Sequence, residues 1–351
     1  MSYKVFLFVI CFTCFSITQT IYCDYYNEYN LVFGKSDVDN YNNMWVNIKN
    51  NENLDYVHLF FNFFIIVMSK LFMIDENLFL TFFIPFTLWV ITPLVIYNFY
   101  SKILCSKRKI FIATFCFLFG SFFIFFGGII SVYCQYFSML FFIVSLENKN
   151  IIYKIYAVLI HPYTLLVYLV MYIIQSKNRF YKTLISFFLF VCIVFFYPRN
   201  ILGYTLWSSH YYEPLFFNVI YTFINPLLFP FYLFGITIYS KFFKVMNKKY
   251  FNVSIILLCL GLVSHISRGL IYSLPFFMLY VSLGFNYLLD FYGKRMRLLI
   301  VSLFIVFVLI HFHYSFYLFC KYMIVEMDKD YILYGRNMPT RALIGIISPY
   351  F

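Results

Sequence analysis

The chain has 351 residues, of which 63% are hydrophobic, 25% aromatic and only 11% charged. A water-soluble domain carries roughly a quarter charged residues, so polar surface is too scarce here to clothe an aqueous globule. A formal charge of +12 ordinarily points to nucleic acid or acidic partners. Repeated apolar runs near the ~20 residues that cross a bilayer assign it instead to cytoplasmic loops obeying the positive-inside rule. The expectation is an all-α polytopic membrane protein with no nucleic-acid partner, since helices satisfy their own backbone in lipid. The abundance of Phe, Tyr, Ile and Asn is given no functional weight.

The first run, 4–22 with Lys4 at its head, reads as a retained anchor with a cytosolic amino terminus. Thr20, Ile21 and Tyr22 offer no small-x-small cleavage site before Cys23. Cys11 and Cys14 form a CxxC inside this run, where they read as small buried hydrophobes, as do most of the nine cysteines. Cys23 and Cys320 both fall at outer boundaries, within reach of a disulfide that nothing else in the sequence supports. The next stretch, 23–55, is the one sizeable polar segment before the carboxy-terminal tail. It holds Asp24, Glu28, Asp37, Asp39, Glu52 and Asp55 against Lys35 and Lys49, a local charge of about −4 in a basic chain. The anchor's orientation places this acidic loop outside.

Residues 56–74 are long enough to span but contain His58, Asn62, Ser69 and Lys70, the first three on one helical face. Asp75 and Glu76 follow, then a cleaner span 78–100, then Lys102, Lys107, Arg108 and Lys109. A crossing at 56–74 would put that basic cluster outside and the acidic pair inside. An interfacial or half-inserted juxtamembrane helix on the outer side removes both conflicts.

The remaining runs then alternate. Residues 110–127 go out and 130–146 return. Residues 151–160 and 163–176, separated by His161 and Pro162, are individually short; ten residues rise about 15 Å. They read as a broken helical hairpin that enters from the cytosol. Residues 183–197 go out, 215–240 return past Pro226 and Pro230, 251–267 go out, 269–290 return, and 298–319 exit to a short outer tail, 320–351. Seventeen of the twenty-six Lys and Arg lie on the inner side of this scheme, including every multi-residue basic cluster. The expected architecture is a single transmembrane domain, 1–319, of about nine spans plus the juxtamembrane helix and the hairpin. It has a cytoplasmic amino terminus and an outer carboxy terminus.

Ionisable groups deep in a membrane are costly and become functional candidates by default. Arg268, in SHISRGLIYSLP, lies at the outer end of the turn between 251–267 and 269–290. Two readings stand: its guanidinium grips an anionic ligand phosphate with paired donors, or it pairs with a loop carboxylate or is solvated at the interface. His161 before Pro162 donates either to a phosphate or sugar hydroxyl or to a structural hydrogen bond at the helix break. His265, one turn before Arg268, shares its face. His311 and His313 at i,i+2 point to different sides of a helix, unlike a zinc pair. Asp37 and Asp39 lack the full spacing of an EF-hand loop. An outward carboxylate beside a membrane-bound donor serves as a general base if burial raises its pKa; solvated loop acids are the alternative. There is no Gly-rich phosphate loop and no GxSxG, and whether a divalent cation takes part is left open.

The order of these features resembles the EpsG-like exopolysaccharide proteins, which belong to or sit close to the GT-C class of integral-membrane glycosyltransferases. GKSDVDNYNNMW followed by ENLDYVHLFFNFFIIVMSKLFMIDENLFLTFFI is similar to that family's opening. Asp37 or Asp39, Asn40, Tyr41 and Glu52 match its Asp-x-x-Asn-Tyr-like loop and glutamate-led helix. VYCQYFSMLFFIVSLENKN and YAVLIHPYTLL resemble its Arg-Gln helix and Ile-His turn through Gln135 and His161, and SRGLIYSLPFFMLY its late Arg-before-Pro span through Arg268, Tyr272 and Pro275. Cys134 stands where the family usually has Arg; if that Arg binds donor phosphate, Arg268 would have to supply the function alone, or the activity has drifted. The resemblance implies transfer or polymerisation of sugar from a polyprenyl-phosphate-linked donor to a glycan acceptor at the outer face of the cell membrane. In that reading Asp37 is the favoured base, with Asp39 or Glu52 as substitutes. Arg268 and His161 contact the lipid-linked phosphate, His265 stands beside Arg268, and Gln135 orients the sugar. Two rivals remain: a transporter or flippase of lipid-linked glycans, and a membrane-bound acyltransferase using His161 or His265.

Overall fold

The structure, a computed structural model, describes residues 2–29, 59–120, 133–148, 150–161, 163–175, 226–242, 250, 252–253 and 270–310. The expected span 183–197, nearly all of 251–267, most of the acidic loop and the tail 320–351 lie outside these residues. Among the described residues every regular element is helical and there is no strand. Among the described residues three helices are long and apolar enough to cross a membrane: Tyr3–Thr20, Leu78–Ile103 and Ile271–Phe291.

Helix α1 runs Tyr3–Tyr29. It passes Cys23 into the start of the acidic stretch, because DYYNEY contains neither Pro nor Gly to stop it. Helix α2, Leu59–Phe72, turns through Met73, whose φ of 56° is left-handed, into α3, Glu76–Phe86. Its fourteen residues rise about 21 Å, short of the ~30 Å of a hydrocarbon core. α2 packs back along α3 by Phe72 on Phe79 and Phe64 on Phe83, and reaches the centre of the bundle by Phe61 on Phe137.

α3 continues through a π-helical turn, Thr87–Ile91, into α4, Thr92–Ile103. Pro85 and Pro93 bracket this turn. Each lacks an N–H and pushes its ring at the preceding turn, so one extra residue per turn relieves the ladder between them. The Thr87 carbonyl then accepts from both the backbone N–H and the hydroxyl of Thr92. The buried Trp89 indole donates to Thr18 Oγ1 at 3.0 Å, and Lys4 Nζ lies 5.2 Å over the Tyr97 ring. These contacts hold α1 antiparallel to the α3–α4 rod.

After a break at residues 104–106, α5 (Lys107–Phe119) runs back. Then come α6 (Tyr133–Glu147), α7 (Ile151–Ile160) and α8 (Tyr163–Gln175). Asn150 caps α7 by accepting from the Ile152 N–H at 3.0 Å. A 3₁₀ turn, Pro226–Leu228, opens α9 (Phe229–Phe242), which pairs with α10 (Leu270–Phe291). A final helix, α11, covers 294–310. Lys102 pairs with Glu147 at 3.1 Å and Arg108 with Asp290 at 3.0 Å. The turn between α4 and α5 therefore sits beside the carboxy-terminal ends of α6 and α10.

α1 and α11 leave large apolar side chains exposed, Phe8, Phe12, Leu298 and Leu309 among them. Surfaces of this kind mark contact with lipid or another apolar partner. Where lipid replaces water, burial no longer drives helices together and small residues that let backbones approach matter more. Gly235 of α9 and Gly284 of α10 do this reciprocally. A Cβ on Gly235 would run into the Tyr280 carbonyl, and one on Gly284 into the Phe231 carbonyl. Gly235→Ala and Gly284→Ala should each cost about 1–3 kcal/mol, the scale of overpacking. Gly293→Ala, at a position with open space around it, should change stability by less than about 0.5 kcal/mol. Thermal melts of the detergent-solubilised protein decide; equal melting temperatures for all three would remove the close approach.

Candidate functional site

α6 carries Gln135, Ser138 and Ser145 among the buried polar residues of the core. The expected helix break falls between α7 and α8, where His161 is extended, at φ −148° and ψ 113°, and buried. Its N–H donates to the Ala157 carbonyl at 3.2 Å, and its own carbonyl accepts from the Thr164 N–H at 3.0 Å. Ser138 of α6 donates to the same Ala157 carbonyl at 2.6 Å. The end of α7 is thereby bound to the second turn of α6, and the hairpin turns inside the bundle rather than beyond it.

The hydroxyls of Ser138, Thr164 and Tyr272 meet at this point. Thr164 Oγ1 and Tyr272 OH are 2.7 Å apart, Tyr272 OH also reaches Ser138 Oγ at 3.1 Å, and Ser138 and Thr164 are in direct hydrogen-bond contact. Because Ser138 spends its single hydrogen on the Ala157 carbonyl, it is the acceptor in its contacts with Thr164 and Tyr272, and the three hydroxyls share three hydrogens among four contacts. All three are fully buried. Two further pairs extend the polar line along α6: Thr92 with Tyr136 at 2.7 Å and Ser145 with Tyr168 at 2.6 Å.

Gln135, one turn before Ser138, departs from this pattern. It is 1% exposed, and neither its Oε1 nor its Nε2 has a hydrogen-bond partner. A buried polar group left without a partner costs on the order of 1–3 kcal/mol. The residues i and i+3 share a helix face, which sets the unanswered carboxamide next to the hydroxyl cluster. Ser138 lies about 13.5 Å along the helix from Glu147.

The lower end of α6 is electrostatically separate. Glu147 gives Oε2 to Lys102 while its Oε1 is unpartnered. Burial first, and the nearby Glu147 carboxylate second, hold the Tyr250 phenol above its ordinary range. Cys11 and Cys14 carry free thiols on α1, as does Cys23, which accepts from Gln19 Nε2 at 3.2 Å.

Of the candidate residues, the structure brings His161 and Gln135 onto adjacent elements around one buried cluster. Asp37, Asp39, Glu52, Arg268 and His265 lie outside the described residues, as do His311, His313 and Cys320. Ser138 and Thr164 were not singled out from the sequence. The usable signal is a hydroxyl three residues after Gln135 and another three after His161, each in an otherwise apolar run.

No known family model, no curated protein and no solved structure matches this chain.

Gln135→Leu, which removes an unanswered polar group at similar volume, should stabilise the protein by about 1–2 kcal/mol. Ser138→Ala, which removes the donor to Ala157 and an acceptor that Thr164 and Tyr272 share, should destabilise it by about 1–3 kcal/mol. Melting temperatures of the two variants without added ligand test the contrast. A stability loss in Gln135→Leu would mean that the carboxamide is answered within the protein.

Proposed function

We propose that this chain is a multi-pass glycosyltransferase or polysaccharide polymerase of the cell membrane. It would transfer sugar from a polyprenyl-phosphate-linked donor to a glycan acceptor at the outer face. The observation that carries the reading is the Gln135 carboxamide, buried with both polar atoms unanswered beside the Ser138–Thr164–Tyr272 cluster and the His161 turn. A carboxamide offers donors and an acceptor side by side, the complement of neighbouring sugar hydroxyls. A ligand that answered it would recover the desolvation cost that the empty protein bears. The resemblance of the sequence to EpsG-like proteins supports the same reading through Gln135, His161, Tyr272 and Arg268.

In this mechanism the donor's phosphate is already a good leaving group. The remaining tasks are activation of the acceptor and neutralisation of the departing phosphate. Asp37 takes the acceptor proton, with Asp39 or Glu52 as substitutes. Arg268 holds the phosphate with paired donors, His161 and His265 stand by it, and Gln135 orients the sugar. The architecture that goes with it is the GT-C-like arrangement of about nine spans, the outer juxtamembrane helix and the hairpin.

The burial of the hydroxyl cluster within the bundle favours a second reading, passage of a lipid-linked glycan through the membrane, because transporter sites lie within the helical bundle. Vesicles reconstituted with the protein and a labelled lipid-linked sugar separate the two. New glycosidic bonds support the enzyme, and movement of intact donor without bond formation supports the transporter. An acyltransferase would label acceptor from an acyl donor instead.

Gln135→Leu should lose most sugar transfer while remaining folded, the opposite of its effect on stability. Asp37→Asn should abolish transfer at unchanged expression; wild-type turnover in Asp37→Asn, Asp39→Asn and Glu52→Gln alike would refute the base assignment. Orientation is read at Cys105, an exposed thiol within the basic turn. The labelling that Cys105→Ser removes should appear with a membrane-impermeant maleimide only after permeabilisation. Labelling of Cys105 in intact cells would invert the topology.

A further inference from the structure

The Arg108–Asp290 ion pair closes a sequence separation of 182 residues and makes a corner from the start of α5 and the junction of α10 with α11. Lys107, Arg108 and Lys109 come from one side of it; Lys294, Arg295 and Arg297 come from the other. Asp290 is committed to Arg108, and no carboxylate among the described residues is within ion-pair distance of Lys107, Lys109, Lys294, Arg295 or Arg297. The junction itself is exposed from Asp290 to Leu299. Phe291 and Tyr292 stand there in an edge-to-face pair with ring centroids 5.1 Å apart, and Met296 and Leu298 flank the bases. The junction is held rather than loose, since the Arg297 Nε donates to the Tyr292 carbonyl at 2.8 Å and the Arg297 N–H to Gly293 at 3.0 Å.

Bases, aromatic rings and apolar side chains exposed together at the end of a membrane-length helix match one surface, the boundary between anionic headgroups and acyl chains. Aromatic rings settle at headgroup level, and each Lys or Arg near an anionic leaflet adds about 1 kcal/mol, roughly fivefold in affinity. We propose that this corner is a binding site for the phosphate-bearing headgroup of an anionic phospholipid. Phe291 and Tyr292 anchor at the acyl boundary, and Lys107, Lys294 and Arg295 face the phosphate. The inference stands apart from the glycosyl-transfer reading and needs only that α10 crosses the membrane.

Native mass spectrometry of the full chain in detergent, titrated with phosphatidylglycerol or with phosphatidylcholine of the same acyl chains, tests it. Phosphatidylglycerol should bind more tightly, and the preference should fall as ionic strength rises when the same preference is read by a melting-temperature shift. Glycerophosphate, the soluble anion without acyl chains, should neither bind nor compete; competition at equal concentration would reassign the site to free phosphate. Lys294→Gln with Arg295→Gln should weaken phosphatidylglycerol binding by about 30-fold, and Lys294→Arg with Arg295→Lys should restore it. Both positions are exposed and make no ion pair, so the fold survives the change. Lys49→Gln with Lys154→Gln removes the same charge elsewhere and should change binding by less than about threefold. Equal loss in both pairs of variants, or no preference for phosphatidylglycerol, overturns the proposal.

Discussion

A hydroxyl inside an apolar bundle needs an acceptor that water cannot supply, and here Ser138 takes the Ala157 carbonyl, which is thereby answered twice. The His161 N–H closes the last turn of α7, and the Ser138 hydroxyl reaches across from α6. Without a partner such a group would cost several kcal/mol in lipid. The second bond decides the geometry around it. It anchors the end of α7 to α6, brings Thr164 at the head of α8 into contact with Ser138, and draws in Tyr272 from α10. One hydroxyl thus gathers groups from three parts of the chain at one point.

The rest of the bundle is arranged so that such a buried join can persist. Polar groups within the helices are paired locally or across one interface, as in Thr92 with the Thr87 carbonyl and Tyr136, or Ser145 with Tyr168. Backbones approach where glycine permits, at Gly235 and Gly284. Full charges are kept to the ends, where Lys102 and Arg108 meet Glu147 and Asp290. Division of labour by depth follows: ions where water or headgroups can screen them, hydroxyls and carboxamides where they cannot.

Much of this was legible because apolar length and charge placement are strong signals. The expected 269–290 is observed as Leu270–Phe291, 78–100 as a rod ending at Ile103, and the break at His161 lies where the sequence put it. Placing 101–109 at the same end as the termini of 130–146 and 269–290 agrees with the two ion pairs. The π turn was not read, although Pro85 and Pro93 sit eight residues apart around it, because periodicity over a uniformly apolar run cannot register one extra residue. Ser138 and Thr164 escaped notice for a related reason. A lone hydroxyl in a span most often bonds back to its own helix, as Thr114 does with Ile110, and only the fold reveals which one bonds across.

Gln135 is where that accounting fails, and the manner of failure is informative. Gln19, Glu147 and Asn286 also bury an unanswered oxygen, but each has its other polar atom engaged. Among the described residues only Gln135 has both unanswered, and it stands on a helix whose other buried polar side chains, Tyr136, Ser138 and Ser145, are all paired. A whole carboxamide withheld from its neighbours, at the one point where three hydroxyls and a helix break converge, is the arrangement expected of a group whose partner comes from outside the protein. Such a partner would both give and accept hydrogen bonds, as the carboxamide does. The hydroxyls of a sugar ring, the ligand of the proposed function, would meet that requirement.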